Sequence, residues 1–218
     1  MIPLLLWRCP LCATDDALEH IVRRFRGDLV RCRCCRVVWR VRRVPGDNFY
    51  LRLIHGGPGD DERSITAWYD AMKATVRLTP IRDPAFAPQP GETLYLASGP
   101  AELQAEETDP LFFPARAPSQ AACVDKREVR GKTAGLGRLF LTDRRLVWQG
   151  DAAACVLPLA RLNSALAFMA DGLVLMVEMR LYTVRFLAES LLKWVTYIAL
   201  VALQVEAATG HRIATSHF

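Results

Sequence analysis

The sequence predicts a mainly β protein that also contains helix. Three observations lead to this fold class. Two Cys-x2-Cys pairs lie near the start of the chain, short runs of strand-forming residues separated by turn signals fill its second half, and a long apolar segment without Gly or Pro follows them. With 218 residues, of which 51% are hydrophobic and 23% charged, the chain can build a packed core.

The predicted elements divide the chain into three parts. Residues 1–44 form a cysteine-containing module, and residues 45–90 form a linker that contains an amphipathic helix at 64–78. Four prolines close this linker, because proline fixes φ and stops helices. Residues 91–218 form a β domain whose last helix covers 188–209 and ends before a glycine, a typical helix stop.

Positive charge is concentrated in the first part. The chain carries 28 Lys and Arg against 23 Asp and Glu, a net charge of +5. Met1 to Arg43 contains ten Arg, no Lys and four acids, a net charge of +6, so the remainder carries −1. This piece therefore has an electrostatic field of its own, suited to an anionic partner.

The composition also predicts where the protein resides. Residues 1–7 lack a basic segment and are short for the apolar part of a secretory signal, which predicts a cytoplasmic protein. In that reducing compartment clustered cysteines indicate metal binding rather than disulfides. A chain rich in Arg and Ala with only four Lys is typical of a bacterial source.

The cysteine spacing predicts a metal site. Cys9 and Cys12 form one Cys-x2-Cys turn, and Cys32 and Cys35 form a second after nineteen residues. Each turn directs two sulfurs at one point, and two turns complete the tetrahedral sulfur shell that Zn²⁺ prefers. This module resembles a zinc ribbon, although four thiolates also suit iron. Cys32 with Cys35 is the better pair, and the role of Cys34 stays open.

The predicted ribbon contains nine arginines. They could neutralise phosphates of nucleic acid, and Phe25 and Trp39 could stack on bases. The alternative is that the arginines form an ordinary solvated surface or contact an acidic partner while both aromatics fill a small core. The nine are Arg23, Arg24, Arg26, Arg31, Arg33, Arg36, Arg40, Arg42 and Arg43.

Two features of the linker favour packing rather than chemistry. Ser64 can cap a helix whose apolar residues recur at helical spacing, and this face predicts a packed surface. The sequence His-Gly-Gly-Pro-Gly at 55–59 is similar to the oxyanion loop of proline iminopeptidase-type hydrolases. Those enzymes need a Gly-x-Ser-x-Gly elbow, which is missing here, so we expect a glycine-rich loop and no enzymatic activity.

The β domain is predicted from strand and turn signals. Its central hairpin places Leu139–Thr142 and Leu146–Trp148 around the turn residues 143–145, where Asp143 initiates the turn through its carboxylate. The apolar final helix is too short to span a bilayer, so it is expected to cover the strands. The other predicted strands are 92–97, 124–129, 155–157, 164–170, 173–179 and 181–187.

The hairpin carries a family resemblance. Residues 137–148 follow the pattern G-x-L-x-L-T-x-x-R-L, Leu157-Pro158-Leu159 follows, and 182–186 lead into the helix. Together these residues resemble the GRAM and bacterial PH-like domains. The resemblance implies a seven-stranded, partly open antiparallel β-barrel plugged by the C-terminal helix. It also implies a non-enzymatic role in binding lipid headgroups or protein segments.

The basic residues before the hairpin are the candidate anion site of this domain. They could bind a lipid headgroup through charge-assisted hydrogen bonds, or they could be ordinary charge at a strand edge. The five are Lys126, Arg127, Arg130, Lys132 and Arg138. Although Gly131-Lys132-Thr133 suggests a phosphate-binding loop, the glycine required five residues earlier is missing.

These expectations combine into a function. The sequence predicts an adaptor at the cytoplasmic face of the inner membrane, in which the PH-like domain binds lipid headgroups or a protein and the zinc ribbon recruits a partner. The alternative is a nucleic-acid-associated protein that uses the ribbon arginines. The apolar C-terminal helix could contact membrane, its own barrel or a second copy of the chain, which would make a homo-oligomer.

Overall fold

The computed structural model is described for most of the chain, and its strands and helices fall into two units, Met1–Arg77 and Leu78–Phe218. The protein is mainly β with helices, as the sequence predicts. The described residues are 2–24, 27–45, 48–57, 61–107, 123–124, 133–151, 153–168, 172–178 and 180–217.

The first unit is built on a five-stranded sheet in which each strand pairs antiparallel with the next along the chain. Its strands are β1 (Leu18–Ile21), β2 (Leu29–Cys32), β3 (Val38–Val44), β4 (Asn48–His55) and β5 (Glu62–Ser64). Two helices complete it, α1 (Ile2–Leu5) and α2 (Ile65–Lys73). The order β1–β2–β3–β4–β5 makes the cysteine module and the following residues one continuous sheet.

Helix α2 packs on this sheet and completes its core. Trp68 meets Trp39 edge to face with ring centroids 5.9 Å apart, and its indole N–H donates to the Leu51 carbonyl at 3.2 Å. Met72 is fully buried one turn later. At the start of the helix the Ser64 hydroxyl accepts the Ala67 N–H at 3.1 Å, so the predicted cap is present.

This arrangement corrects the predicted linker at 45–90. β4 pairs with β3 along its whole length, because Leu51 and Leu53 point into the core and alternate with an exposed Arg52. The described residues of 48–73 therefore share one core with the predicted ribbon. Residues 78–90, which contain neither helix nor strand, belong to the second unit.

The second unit contains one long strand path. Its order is β15–β12–β13–β14–β7–β9–β10–β11–β8, and β6 pairs with β9 beside this path. Most neighbours are antiparallel, whereas β15 runs parallel to β12. The strands are β6 (Leu94–Ala97), β7 (Ala101–Glu107), β8 (Cys123–Val124), β9 (Thr133–Thr142), β10 (Arg145–Gly150), β11 (Ala154–Pro158), β12 (Leu162–Phe168), β13 (Gly172–Val177), β14 (Arg180–Phe186) and β15 (Ala214–His217).

Strand β7 holds the two halves of this sheet together. One of its edges pairs with β14 over seven residues, and the other pairs with β9. β6 pairs with the end of β9 that lies beyond its pairing with β7, because Ser98-Gly99-Pro100 bends the chain between β6 and β7. Among the described residues the strand path has two ends, so the predicted barrel is not closed.

Helix α3 (Leu191–Thr209) lies against β12, β13, β15 and β6. Trp194, Ile198 and Val201 are fully buried, and Trp194 stacks on Phe186 at a centroid distance of 5.1 Å. The helix ends at Gly210, whose left-handed φ of 74° suits a residue without a side chain. The buried face of α3 therefore covers the strands, which is the role that the sequence predicts for this helix.

By length and composition α3 could also cross a membrane. Its mean hydropathy reaches 1.4, but 56% of that window is buried inside the protein, and buried core helices meet the same criterion. Leu203 remains 63% exposed near the end of the helix. Contact of this helix with a membrane or with a second copy stays a prediction.

The hairpin turn between β9 and β10 is held by a buried ion pair. Arg145 donates to both carboxylate oxygens of Glu92 at 2.7 and 2.8 Å, and the Thr142 hydroxyl donates to the same carboxylate at 2.8 Å. The Thr142 hydroxyl also accepts the N–H groups of Arg144 and Arg145. The Thr and Arg of the sequence pattern therefore have structural roles.

The predicted turn residue Asp143 acts differently from the expectation. Its carboxylate accepts the N–H of Thr93, a residue fifty positions earlier, at 2.9 Å. The Asp143 N–H donates in return to the Thr93 carbonyl at 3.0 Å. Asp143 thus fastens the start of β6 to the hairpin, whereas Thr142 caps the turn itself.

Candidate metal centre

The structure brings the four predicted cysteines of the first unit together. The sulfurs of Cys9, Cys12, Cys32 and Cys35 all lie within 4.8 Å of one another. The Cys9 and Cys35 sulfurs are 3.8 Å apart, and those of Cys12 and Cys32 are 3.7 Å apart. A tetrahedral ion with metal–sulfur bonds of about 2.3 Å requires sulfur–sulfur separations of about 3.8 Å. The cluster can therefore hold a metal ion.

The two cysteine turns have the same main-chain geometry. In the first, the Ala13 N–H donates to the Cys9 carbonyl at 2.9 Å, and Ala13 has a φ of 56°. In the second, the Arg36 N–H donates to the Cys32 carbonyl at 3.1 Å, and Arg36 has a φ of 65°. Left-handed backbone at non-glycine residues is uncommon, so its repetition indicates two turns shaped for the same task.

A second hydrogen bond closes each turn at the same spacing. The Cys9 N–H donates to the Thr14 carbonyl at 3.0 Å, and the Cys32 N–H donates to the Val37 carbonyl at 2.9 Å. In both turns the first cysteine is buried and the second is partly exposed. The Cys-x2-Cys spacing thus produces two turns with the same main-chain hydrogen bonds, one before β1 and the other between β2 and β3.

The thiols differ in their affinity for protons. Burial raises the pKa of Cys9 and also that of Cys35. At Cys12 burial acts in the same direction, but hydrogen bonding to Thr14, whose hydroxyl lies 3.3 Å from the sulfur, lowers the pKa to about 6. Without a cation the cluster therefore favours a thiolate at Cys12, and a bound divalent ion would stabilise the thiolate forms of Cys9 and Cys35.

Cys34 takes no part in this cluster. It is exposed, and its neighbour Cys35 supplies the fourth sulfur instead. The choice of Cys35 follows from the turn geometry, because a sulfur three residues after Cys32 points the same way as the first sulfur. Cys155, which lies in the second unit, is a buried thiol.

The predicted anion site of the second unit is only partly within the described residues. Arg138 donates to both carboxylate oxygens of Asp83 at 3.1 and 2.6 Å and to the Ser98 carbonyl at 2.7 Å. This pairing lowers the pKa of Asp83. Arg138 therefore links residues 81–90 to β9 and is a poor candidate for binding a ligand. Lys126, Arg127, Arg130 and Lys132 lie outside the described residues.

The ribbon arginines differ in their surroundings. Arg31 pairs with Glu19 at 2.7 Å, and Arg42 pairs with Glu62 at 2.8 Å, so these two guanidinium groups have acidic partners in the sheet. Arg40 is exposed and forms no ion pair with any described residue. Of the predicted stacking residues, Trp39 is 1% exposed and belongs to the core, and Phe25 lies outside the described residues.

Comparisons with protein-family models, with characterised proteins and with solved structures found no match to this chain.

Proposed function

We propose that this chain is a non-enzymatic adaptor that combines a zinc-stabilised N-terminal unit with a PH-like second unit. The observation that carries the proposal is the set of four cysteine sulfurs within 4.8 Å of one another. Four protein ligands complete the coordination of Zn²⁺ and leave no position for a substrate, so the ion would have a structural role. The unit that it stabilises would recruit a partner.

The strand path of the second unit supports the PH-like half of the proposal. Among the described residues eight strands between 101 and 186, namely β7 to β14, lie side by side in one path with open ends. Helix α3 follows them and packs on β12 and β13 as well as on β6, which pairs with the other half of the path. A partly open barrel with a helical plug is the arrangement that the GRAM resemblance implies.

In this proposal the second unit docks on an anionic membrane surface or on a protein segment. Because Arg138 is paired with Asp83, the contact with a headgroup falls to the basic residues 126–132. A cluster of four basic residues near a membrane adds electrostatic attraction of about 1 kcal/mol for each charge. The adaptor would then sit at the cytoplasmic face of the membrane.

Metal analysis of the purified full-length chain tests the first half. We expect about one zinc per chain, because four sulfurs fill one shell. Cys9→Ser should lose the metal, whereas Cys34→Ser, the matched control, should retain it. Iron in place of zinc would change the identity of the ion, and a metal-free protein with reactive thiols at all four positions would contradict the proposal.

Vesicle co-sedimentation tests the second half. The full chain should sediment with phosphatidylserine-containing vesicles and not with neutral phosphatidylcholine vesicles. Replacing Lys126, Arg127, Arg130 and Lys132 with Ala should abolish sedimentation, and Arg138→Ala should reduce thermal stability instead. If the quadruple variant sediments like the original protein, these residues do not contact the headgroups.

A further inference from the structure

Residues 78–90 form an extended segment on the second unit, which we call the strap. The strap contains neither helix nor strand, and most of its residues are exposed, unlike Asp83 and Phe86. Among the described residues one main-chain hydrogen bond joins the strap to a strand, from the Ile81 N–H to the Leu94 carbonyl at 2.9 Å. The strap is therefore attached mainly through side chains and not through its backbone.

Two side chains three residues apart provide this attachment. The Asp83 carboxylate accepts the two hydrogen bonds from Arg138, and the Phe86 ring stacks on the Phe140 ring at a centroid distance of 4.8 Å. A turn sets their spacing, because the Phe86 N–H donates to the Asp83 carbonyl at 3.1 Å and the Ala85 N–H donates to the Asp83 carboxylate at 2.9 Å. The attachment thus consists of an acid and an aromatic ring on one β-turn.

The surface under the strap is an apolar patch on one face of the sheet. Phe140 on β9 and Val147 on β10 are direct cross-strand neighbours, and Leu94 on β6 packs with them. Among the described residues this cluster has four buried members, and Phe86 is the one that lies outside the strands. Without Phe86 the other three side chains would form an exposed apolar patch, which is a typical feature of an interaction site.

Arg138 is held in position beside this patch without help from the strap. Its Nε–H donates to the Ser98 carbonyl at 2.7 Å, and its guanidinium group lies over the Phe140 ring at 5.0 Å. These contacts leave both Nη groups directed at the Asp83 carboxylate. A guanidinium group in this orientation is a bidentate site for one carboxylate. Asp83 fills this site in the structure and closes it to other ligands while the strap is bound.

The strap also has the backbone of a good peptide ligand. Its prolines at 80, 84, 88 and 90 restrict the chain before it binds, which lowers the entropy that is lost on binding. Pro84 occupies the second position of the turn, where the fixed φ of proline fits. A segment of another protein with the same turn would therefore meet the same patch and the same guanidinium group.

We propose that the patch formed by Leu94, Phe140, Val147 and Arg138 is a docking site for a partner-protein segment of the form Asp-Pro-x-Phe, and that the strap occupies this site as an intramolecular ligand. This inference rests on the proposed function, because it specifies the protein segment that the second unit would bind. The partner displaces the strap when it binds. The chain therefore inhibits its own docking site.

The short connection between the strap and the patch favours a partner over a second copy of the chain. Phe86 lies eight residues before Leu94, so the effective concentration of the strap at its own patch is high, on the order of millimolar. The strap of a second copy offers the same contacts without this advantage. A partner can add contacts beyond the turn and thereby displace the strap.

Fluorescence anisotropy with the full-length, metal-loaded chain tests this proposal. The probe is a fluorescein-labelled peptide with the sequence of residues 79–88. A site that is covered for about 90% of the time or more loses at least about a factor of ten in apparent affinity. We therefore expect the strap variant, Asp83→Ala with Phe86→Ala, to bind the peptide at least about tenfold more tightly than the original protein.

Three controls show which contacts the peptide uses. A peptide with Phe86→Ala should bind the strap variant at least about tenfold more weakly, because the aromatic ring fills the patch. Adding Arg138→Met to the strap variant should also weaken binding of the original peptide. The matched control Thr79→Ala with Arg82→Ala changes exposed strap residues and should bind within about twofold of the original protein.

Hydrogen exchange on the original protein makes the test independent of the folding of the strap variant. A saturating amount of unlabelled peptide should accelerate exchange at the amides of Ile81 and Phe86, which donate to the Leu94 and Asp83 carbonyls while the strap is bound. The amides of β13, which lies between β12 and β14, should exchange at an unchanged rate. NMR of the isotope-labelled protein with unlabelled peptide measures these rates.

Three outcomes would overturn the proposal. The first is a folded strap variant that binds the peptide no more tightly than the original protein, since the strap would then be a fixed part of the fold. The second is an unfolded strap variant together with unchanged hydrogen exchange in the original protein. The third is a concentration-dependent dimer of the original protein that the strap variant does not form, since the patch would then bind a second copy.

Vesicle co-sedimentation of the strap variant separates this docking site from the rest of the proposed function. A strap variant that sediments with anionic vesicles but does not bind the peptide contradicts the docking site alone. A strap variant that binds the peptide but does not sediment supports the docking site and contradicts the lipid contact alone.

Discussion

The buried pair of Glu92 and Arg145 provides the sharpest test of how the second unit is stabilised. The Glu92 side chain has no exposed surface and accepts four hydrogen bonds, two from Arg145 and one each from Thr142 and the Gln89 N–H. Arg145→Ala removes the two charge-assisted bonds and leaves a carboxylate buried. Breaking a buried pair from one side costs about 3–5 kcal/mol.

The expected change is large enough to measure by calorimetry. For a unit of this size a loss of 1 kcal/mol lowers the melting temperature by about 4 °C, so Arg145→Ala should lower it by about 12–20 °C. Arg144→Ala is the matched control, because that guanidinium is half-exposed and donates to the Gly91 carbonyl at the surface. The control should cost less than about 1 kcal/mol.

A double variant distinguishes a charge effect from general disruption. Glu92→Leu combined with Arg145→Met replaces both partners by apolar groups, which is often close to neutral at buried pairs. We therefore expect this double variant to be more stable than Arg145→Ala. If Arg145→Ala costs less than about 1 kcal/mol, or if the double variant is the less stable of the two, the reasoning is refuted.

The same pair predicts a dependence on pH. Burial raises the pKa of Glu92, but the hydrogen bonds from Arg145 and the other donors outweigh it, so the folded-state pKa lies below the usual value. A lowered pKa contributes stability that is present above the unfolded-state value and is lost as the pH falls through the folded-state value. Below pH 4 the original protein should therefore lose more stability than the Glu92→Leu, Arg145→Met variant.

Two further predictions concern the helices. Trp68→Ala should destabilise the first unit by about 3–5 kcal/mol and reduce the retention of zinc against a chelator. The control Asp70→Ala, on the exposed side of α2, should change neither stability nor zinc retention. Unchanged zinc retention in the Trp68 variant would mean that the cysteine module folds without α2. Ser190→Ala should destabilise the second unit by about 1 kcal/mol in urea unfolding, because its hydroxyl accepts the Lys193 N–H at the start of α3; no change would show that water replaces the cap.

Local signals in the sequence were sufficient for the cysteine cluster and for the central hairpin. The Cys-x2-Cys spacing determines the direction of the sulfurs within a few residues, so Cys9, Cys12, Cys32 and Cys35 could be paired without a structure. The hairpin around Asp143 is equally local. The hydrogen bonds to Glu92 that hold the hairpin turn were not predictable, because Glu92 lies fifty residues before Thr142 and nothing in the sequence links the two residues.

Strands β4, β5, β7 and β15 were not predicted, and β7 and β4 were missed for different reasons. β7 has the sequence Ala-Glu-Leu-Gln-Ala-Glu-Glu, which favours helix, and it is a strand because β9 and β14 pair with both of its edges. β4 did show a strand signal in the alternation of Leu51 and Leu53 with polar neighbours. The glycine-rich segment after it suggested a loop, and the boundary predicted at residue 44 separated it from the sheet that it extends.

The interpretation of Arg138 as a ligand contact shows a second limit. Its partner Asp83 is 55 residues away in the sequence, so the sequence alone does not show the pairing that neutralises Arg138. A basic residue near a strand end is compatible with either a ligand or an ion pair. The choice depends on which distant acid the fold brings close.

The central position of β7 has a consequence for synthesis on the ribosome. This strand is translated early, yet one of its edges is occupied by β14, the last strand before helix α3. A nascent chain that ends before Arg180 would present seven residues of unsatisfied main chain, together with strands that lack their helical cover. The second unit should therefore complete its folding late, and chains that end before Arg180 or within α3 should yield species that aggregate.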